Sequence, residues 1–159
     1  MRNCITIFTD ASVCRQTYAG GWGAWIKYGL NQKLEASGSF KEIVQSSTEA
    51  ELRAIANGLY IATSRLHISD NTLFVVVTDS QNAIGIIDRV RRNKIKRDTP
   101  YVDIVRAINK LIPPTCTLSI RKVKSHVIKS DGDKRNYVNN LVDKLAKSGM
   151  REKRRLLSE

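Results

Sequence analysis

Four acidic residues lie where predicted strands and helices could together form a catalytic or metal-binding site. Asp10 ends a predicted strand over residues 5–10, and Asp79 follows a second run of strand-forming residues. Glu51 and Asp143 lie on segments whose apolar residues recur at helical spacing. Carboxylates brought together raise one another's pKa, and divalent ions that prefer oxygen ligands, Mg²⁺ or Mn²⁺, relieve this repulsion. Such ions can hold the attacking and leaving oxygens of a phosphodiester, so the acids indicate phosphodiester chemistry.

Three of these acids also have ordinary structural explanations. Asp10 could open a turn, because aspartate readily bonds its own backbone there. Either Asp79 or Ser80 could cap the helix that follows. Asp143 could form an exposed ion pair with Lys147, four residues further along the same helix. These alternatives stay open for each residue taken alone.

The first predicted helix contains two acids that need to be distinguished. Glu51 borders the apolar stripe of the helix, whereas Glu49 is expected to face solvent and to pair with Arg53 at i+4. The structural alternative for Glu51 is a capping box with Thr48, since Thr-x-x-Glu is the signature of that motif.

The rest of the chain supplies the elements that would position the acids. Predicted strands cover residues 5–10, 22–28, 33–40, 73–77 and 117–123; predicted helices cover residues 48–64 and 101–111, with two more around Ile86 and Val142. The order β-β-β-α-β-α-α-β-α predicts an α/β fold that begins with an antiparallel meander. A right-handed crossover through the first helix would make the first and fourth strands parallel neighbours. Asp10 and Asp79 would then meet at their carboxyl ends, where site residues belong.

The composition and length of the chain indicate what kind of protein it is and what kind of partner it binds. The net charge is +12, from 27 Lys and Arg against 15 Asp and Glu, which favours a polyanion, most often nucleic acid, over a merely solvated basic surface. The length of 159 residues predicts one domain over residues 1–150 and a charged tail, residues 151–159, that is frayed or loosely helical. No membrane-spanning run or signal-peptide pattern occurs, so we expect a cytoplasmic protein.

Basic residues concentrate in residues 89–97. The segment contains Arg89, Arg91, Arg92, Lys94, Lys96 and Arg97. Runs of charge commonly do no more than solvate one face of a protein. In a chain that is already strongly basic, a cluster beside the end of a helix could instead bind phosphates.

Five motifs, in this order and at these spacings, resemble those of the type 1 ribonuclease H family. They are Thr9-Asp10-Ala11-Ser12, Thr48-Glu49-Ala50-Glu51-Leu52, Thr78-Asp79-Ser80-Gln81, Val123-Lys124-Ser125-His126 and Asn139-Asn140-Leu141-Val142-Asp143-Lys144-Leu145-Ala146. The resemblance covers nearly the whole chain. It implies the RNase H-like fold, a five-stranded mixed sheet flanked by helices.

The resemblance also implies roles for individual residues. The catalytic carboxylates would be Asp10, Glu51, Asp79 and Asp143, which would bind two Mg²⁺ ions, for which Mn²⁺ can substitute. His126 would be the auxiliary histidine that assists proton transfer or product release. The residues implied in substrate binding are Ser12, Ser46, Ser47, Thr48, Gln81, Asn139, Arg91, Arg92, Lys94 and Lys96.

The reaction implied by the resemblance is endonucleolytic hydrolysis of the RNA strand of an RNA/DNA hybrid, leaving 5′-phosphate and 3′-hydroxyl ends. We expect a monomer with no protein partner and no membrane association. One alternative is a nuclease of the same fold that acts on other DNA or RNA structures. Another is a nucleic-acid-binding module with a vestigial site, but a purely binding role gains nothing from a repulsive acidic cluster in a basic protein.

Overall fold

The computed structural model describes residues 3–95, 99–123 and 134–158. The order of its elements is β-β-β-α-β-α-α-β-α, which confirms the predicted order. The strands are β1 (Cys4–Val13), β2 (Gly20–Tyr28), β3 (Gln32–Ser39), β4 (Leu73–Thr78) and β5 (Thr117–Lys122), and the helices are α1 (Ser47–Arg65), α2 (Gln81–Arg91), α3 (Pro100–Leu111) and α4 (Lys134–Leu157).

The five strands form one mixed sheet in the order β3-β2-β1-β4-β5. Strands β1, β2 and β3 pair antiparallel, as the predicted meander requires, and β4 pairs parallel with both β1 and β5. Successive residues of β1 point to opposite faces of the sheet. Ile7 accordingly packs in the main core with Leu52 of α1, whereas Phe8 packs with Val142 of α4 on the other face. The predicted α/β fold with a mixed sheet is confirmed.

Strand β1 is longer than predicted. The prediction that it ends at Asp10 is wrong, because β2 continues to pair with β1 as far as the Val13–Gly20 partners. The parallel pairing between β1 and β4 stops earlier, at Phe8 and Val77. Asp10 therefore lies inside an antiparallel pair but just beyond the end of the parallel one, where β1 and β4 have stopped pairing.

Helix α4 crosses the sheet in direct backbone contact with it. A Cβ atom at Gly23 would lie 2.6 Å from the carbonyl oxygen of Val142, and one at Gly21 would overlap the backbone of α4. Glycine in β2 thus lets the helix lie flat on the strand. The helix continues through residues 151–157, most of the segment that we expected as a tail. Neither α4 nor any other helix in the described ranges is long and apolar enough to cross a membrane.

Candidate active site

Three acids from three elements converge beside the end of the β1–β4 pair. Asp10 of β1, Glu51 of α1 and Asp79, which follows β4, each place a carboxylate oxygen within 4.8 Å of the others. Asp10 and Glu51 are buried and Asp79 is half-buried. Oxygen-only ligands on separate, rigid elements are the kind of donor set that hard divalent cations prefer. The expected meeting of Asp10 and Asp79 is therefore found, and Glu51 joins them.

The first turn of α1 shows why Glu49 is not part of this cluster. Ser46 caps the helix, and its Oγ accepts a hydrogen bond from the Glu49 N–H over 3.1 Å. The Glu49 carboxylate accepts from the Gln45 N–H over 2.8 Å and pairs with Arg53 over 3.1 Å. The predicted pair with Arg53 is present, but the expectation that Glu49 faces solvent is wrong, since Glu49 is only 8% exposed. Its carboxylate helps to start the helix.

Glu51 is correspondingly free of a capping role. The alternative capping box with Thr48 does not form, because Ser46 caps the helix instead. Glu51 Oε1 accepts a hydrogen bond from the Ala11 N–H over 3.3 Å. Glu51 Oε2 is buried, and no N–H or hydroxyl donor in the described part of the chain reaches it. A buried carboxylate oxygen without a donor is costly unless it binds a cation, so Glu51 fits a metal site.

The electrostatics of the cluster also fit a cation. Burial, with the charge of Asp79, raises the pKa of Asp10 to about 7, although hydrogen bonds from Glu51 and the Ala11 N–H oppose the rise. Burial, with the charge of Asp10, raises the pKa of Glu51 to about 10. The metal-free cluster therefore retains protons at neutral pH. A divalent cation would replace those protons and compensate the same negative charge.

Asp79 is likewise not needed to cap a helix. Helix α2 is capped by Ser80, whose Oγ accepts a hydrogen bond from the Ala83 N–H over 3.1 Å. Of the two capping candidates in the sequence, Ser80 has that role. The Asp79 carboxylate lies in the acidic cluster.

Asp143 lies beside the cluster but is not one of the three clustered acids. Its Oδ2 is 2.9 Å from Lys147 Nζ, so the alternative ion pair is present, and the Asp143 side chain is 43% exposed. Its charge nevertheless contributes to the raised pKa of Asp10. Asp143 therefore borders the three acids on the α4 side, and its carboxylate is bound to an ammonium group.

The residues that the resemblance implies in substrate binding lie on several elements. Ser12 is half-buried on β1, and Asn139 is half-buried on α4, one turn before Asp143. Gln81 is exposed at the first residue of α2. At the start of α1, Ser46 is engaged as the cap and lies 3.3 Å from the Tyr101 hydroxyl, whereas Ser47 is exposed and Thr48 is half-buried. His126 and Lys96 lie outside the described residues.

The basic segment begins in the last turn of α2 and continues past the end of the helix. Arg91, Arg92 and Lys94 are all exposed. Arg92 forms a solvent-exposed pair with Asp88 over 3.2 Å, and Arg91 donates to the Leu118 carbonyl over 3.4 Å. Exposed pairs of this kind contribute little stability, so these guanidinium groups can exchange their partners for phosphates.

Comparison with known proteins gives one consistent result. The RNase H family model matches residues 2–151. Ribonuclease H of Chlorobium chlorochromatii is 26% identical over 158 residues, which are 96% of this chain and 99% of that protein. The fold matches the N-terminal RNase H domain of a Mycobacterium tuberculosis protein, solved as a fusion with maltose-binding protein (TM-score 0.70, 16% identity, 98% and 99% of the two chains). It also matches RNase H1 of the halophilic archaeon Halobacterium salinarum (TM-score 0.68, 15% identity, 94% and 98%).

Proposed function

The chain belongs to the ribonuclease H family, and from this membership we propose that it is a divalent-metal-dependent endonuclease that hydrolyses the RNA strand of RNA/DNA hybrids. The products would carry 5′-phosphate and 3′-hydroxyl ends. The observation that supports the metal-dependent reaction is the convergence of Asp10, Glu51 and Asp79 within 4.8 Å. The net charge of +12 supports a polyanionic substrate.

The three clustered acids would hold the metal, and Asp143 would complete its ligands. Two bound Mg²⁺ ions, or Mn²⁺ in their place, supply activation of the attacking water and stabilisation of the departing 3′ oxygen. Asp10 is central in this arrangement because it lies next to Glu51 and Asp79, and because the charge of Asp143 also raises its pKa. For Asp143 to join, its carboxylate would exchange Lys147 for the cation.

Residues around the cluster would position the hybrid and move protons. His126 would assist proton transfer or product release, a role that a group with a pKa near neutrality can perform. Exposed polar groups at the helix starts, Ser47 and Gln81, would contact the strand backbone together with Ser12, Thr48 and Asn139. Contacts to 2′-hydroxyls would distinguish RNA from DNA.

The basic segment would hold the DNA strand. Arg91, Arg92 and Lys94 are exposed at the end of α2, whose first residues follow Asp79. Because phosphate contacts position a duplex without reading its sequence, we expect low sequence selectivity. Lys96 would belong to the same group of cations.

The test is cleavage of an end-labelled RNA/DNA hybrid, with single-stranded RNA and duplex DNA as controls. Native protein and Asp79→Asn are compared in Mg²⁺, in Mn²⁺ and in EDTA. We expect hybrid-specific cutting that needs metal and disappears in Asp79→Asn, with 3′-hydroxyl ends on the upstream fragments. Cleavage of all-DNA duplex would instead identify a nuclease with another substrate. Binding without cutting in either metal would identify a vestigial site.

A further inference from the structure

The solvent face of α4 carries a row of basic side chains that the reaction proposed above does not use. Between residues 144 and 155 the sequence has six basic residues and one acid, Glu152. Five of the six recur at intervals of three or four residues, which places them on one face of the helix. This α4 basic stripe consists of Lys144, Lys147, Arg151, Arg154 and Arg155, all of them exposed.

The stripe is held in a fixed position by the opposite face of the helix. Ala146 and Gly149 are buried against the sheet, and a Cβ atom at Gly149 would overlap the backbone of β3. The Ser39 hydroxyl donates to the Gly149 carbonyl over 2.6 Å, and Lys153 Nζ donates to the Lys41 carbonyl over 2.8 Å. These contacts fix α4 along its second half. The cations are therefore part of the folded surface and do not belong to a frayed tail.

The stripe leads away from the acidic cluster. Its second residue, Lys147, contacts Asp143 over 2.9 Å. Its far end reaches the turn after β1, where the Thr17 hydroxyl and nearby backbone N–H groups, together with Arg154, lower the pKa of the Cys14 thiol. From Asp143 to Arg154 the helix rises about 16 Å. One strand of a duplex advances roughly 3.4 Å per base pair, so this distance corresponds to about five base pairs.

We propose that the α4 basic stripe binds the phosphate backbone of the hybrid beyond the scissile position, over about five base pairs. The proposal rests on the proposed function for the identity of the duplex. Evenly spaced, exposed cations on a rigid helix suit a sequence-independent contact with phosphates. Together with the basic segment at the end of α2, the stripe gives the site cationic surfaces on two different elements.

A purely structural explanation accounts for only part of the stripe. Cations in the last turn of a helix interact favourably with its dipole, and Arg155 also pairs with Glu152 over 2.7 Å. This explains Arg154 and Arg155. Lys147 pairs with Asp143 over 2.9 Å. Lys144 and Arg151 have no such structural explanation, because the dipole effect falls off within the last turn. Phosphate binding accounts for the whole row.

The test compares two double variants, each of which removes two positive charges. Arg151→Gln with Arg154→Gln removes part of the stripe, and Lys33→Gln with Arg65→Gln removes two exposed cations at the other end of the sheet. Affinity is measured in EDTA, where no cleavage occurs, for a hybrid of roughly 20 base pairs over a range of salt concentrations. A second hybrid of roughly 6 base pairs covers the cluster but not the stripe. Thermal unfolding checks that all proteins are folded.

We expect the stripe variant to bind the long hybrid about tenfold more weakly than native protein, with a salt slope smaller by about 2. The control should change less than about twofold, and the short hybrid should not distinguish the two variants. Equal affinities and salt slopes of the two variants on the long hybrid would overturn the proposal. It would also be overturned if the stripe variant lost as much affinity for the short hybrid as for the long one. If the double variant does not fold, Arg151→Gln is compared with Lys33→Gln in the same way, and the expected decrease in the salt slope is then about 1.

The two proposals fail in different ways. Binding in EDTA requires no chemistry, so a native protein that binds the hybrid but never cuts it refutes the proposed function and leaves the stripe to be tested. If native protein cuts the hybrid and the stripe variant has unchanged affinity, only the proposal that the stripe binds phosphates is refuted.

Discussion

The backbone N–H of Ala11 donates to Glu51 Oε1 over 3.3 Å and to Asp10 Oδ1 over 2.9 Å. One amide therefore orients two of the three clustered carboxylates and joins α1 to β1 at that point. Hydrogen bonds of this kind favour the ionised acids, yet burial outweighs them and the pKa values of both acids are raised. The cluster is thus unfavourable for the metal-free fold, which is typical of groups arranged for function.

Substitutions of Glu49 and Glu51, the two acids at the start of α1, should have different effects on activity and on stability. We expect Glu51→Gln to lower hybrid cleavage at least ~100-fold without loss of stability, because the neutral amide takes the place of a buried carboxyl group that keeps its proton in the metal-free protein. Glu49→Gln should retain cleavage within about threefold and lose about 1 kcal/mol, since Glu49 helps to start the helix and pairs with Arg53. Steady-state kinetics and urea unfolding measure both. Loss of cleavage in Glu49→Gln at unchanged stability would contradict the assignment of Glu51, and not Glu49, to the site.

The raised pKa of Asp10 predicts how stability depends on pH without metal. In the folded protein this acid keeps its proton up to about pH 7, whereas the unfolded chain releases it near 3.8. The folded state binds the extra proton in that window, so the contribution to stability is present at low pH and is lost as pH rises through about 7. Asp10→Asn should lack this loss. Urea unfolding in EDTA measures the free energy of unfolding at about pH 5 and at about pH 8. Between these two values it should fall by roughly 1–3 kcal/mol more in native protein than in the variant.

Added Mg²⁺ should offset this loss of stability at high pH. Because protons must leave Asp10 and Glu51 before a cation can bind, the metal should raise the melting temperature more at about pH 8 than at about pH 6. Differential scanning fluorimetry with and without Mg²⁺ measures this rise. Asp10→Asn is the control, and we expect no pH-dependent rise in it. An equal rise in native protein and variant would show that the cation binds elsewhere.

The sequence predicted the central strands because a buried parallel strand leaves a clear signal, a short run of β-branched and aromatic residues before Asp10 and Asp79. It did not predict that β1 continues past Asp10, because that extension depends on pairing with β2. The end of α4 was predicted only as a frayed or loosely helical tail, for another reason. Ala146 and Gly149 face the sheet there, and small residues in close backbone contact give almost no hydrophobic periodicity. The spacing of the basic residues on the other face was the available signal.

Asp143 should behave differently from the buried acids. Its side chain is 43% exposed and its pair with Lys147 lies at the surface, so Asp143→Asn should change metal-free stability by less than about 0.5 kcal/mol. Its proposed place among the metal ligands predicts a loss of cleavage of at least ~100-fold. Urea unfolding in EDTA and cleavage assays in Mg²⁺ measure the two effects. Cleavage that persists in Asp143→Asn would remove this residue from the ligand set and leave the three clustered acids.

The contact between α4 and β2 can be tested with a matched pair of glycine substitutions. A Cβ atom at Gly21 would overlap the backbone of Ala146 and Met150, so Gly21→Ala must push α4 away from the sheet. We expect a loss of about 2–4 kcal/mol in the free energy of unfolding. Gly85 lies within α2, and a Cβ atom there would meet nothing within 4 Å. Gly85→Ala should therefore gain up to about 1 kcal/mol, because alanine favours the helix.

Cleavage rates measured with the same two variants show whether this contact also matters for the site. Since α4 carries Asp143, moving the helix should lower the cleavage rate of Gly21→Ala even at temperatures where the variant remains folded. Gly85→Ala should cleave like native protein. If Gly21→Ala loses stability but keeps full activity, then the position of α4 on β2 is not what places Asp143 beside Asp10.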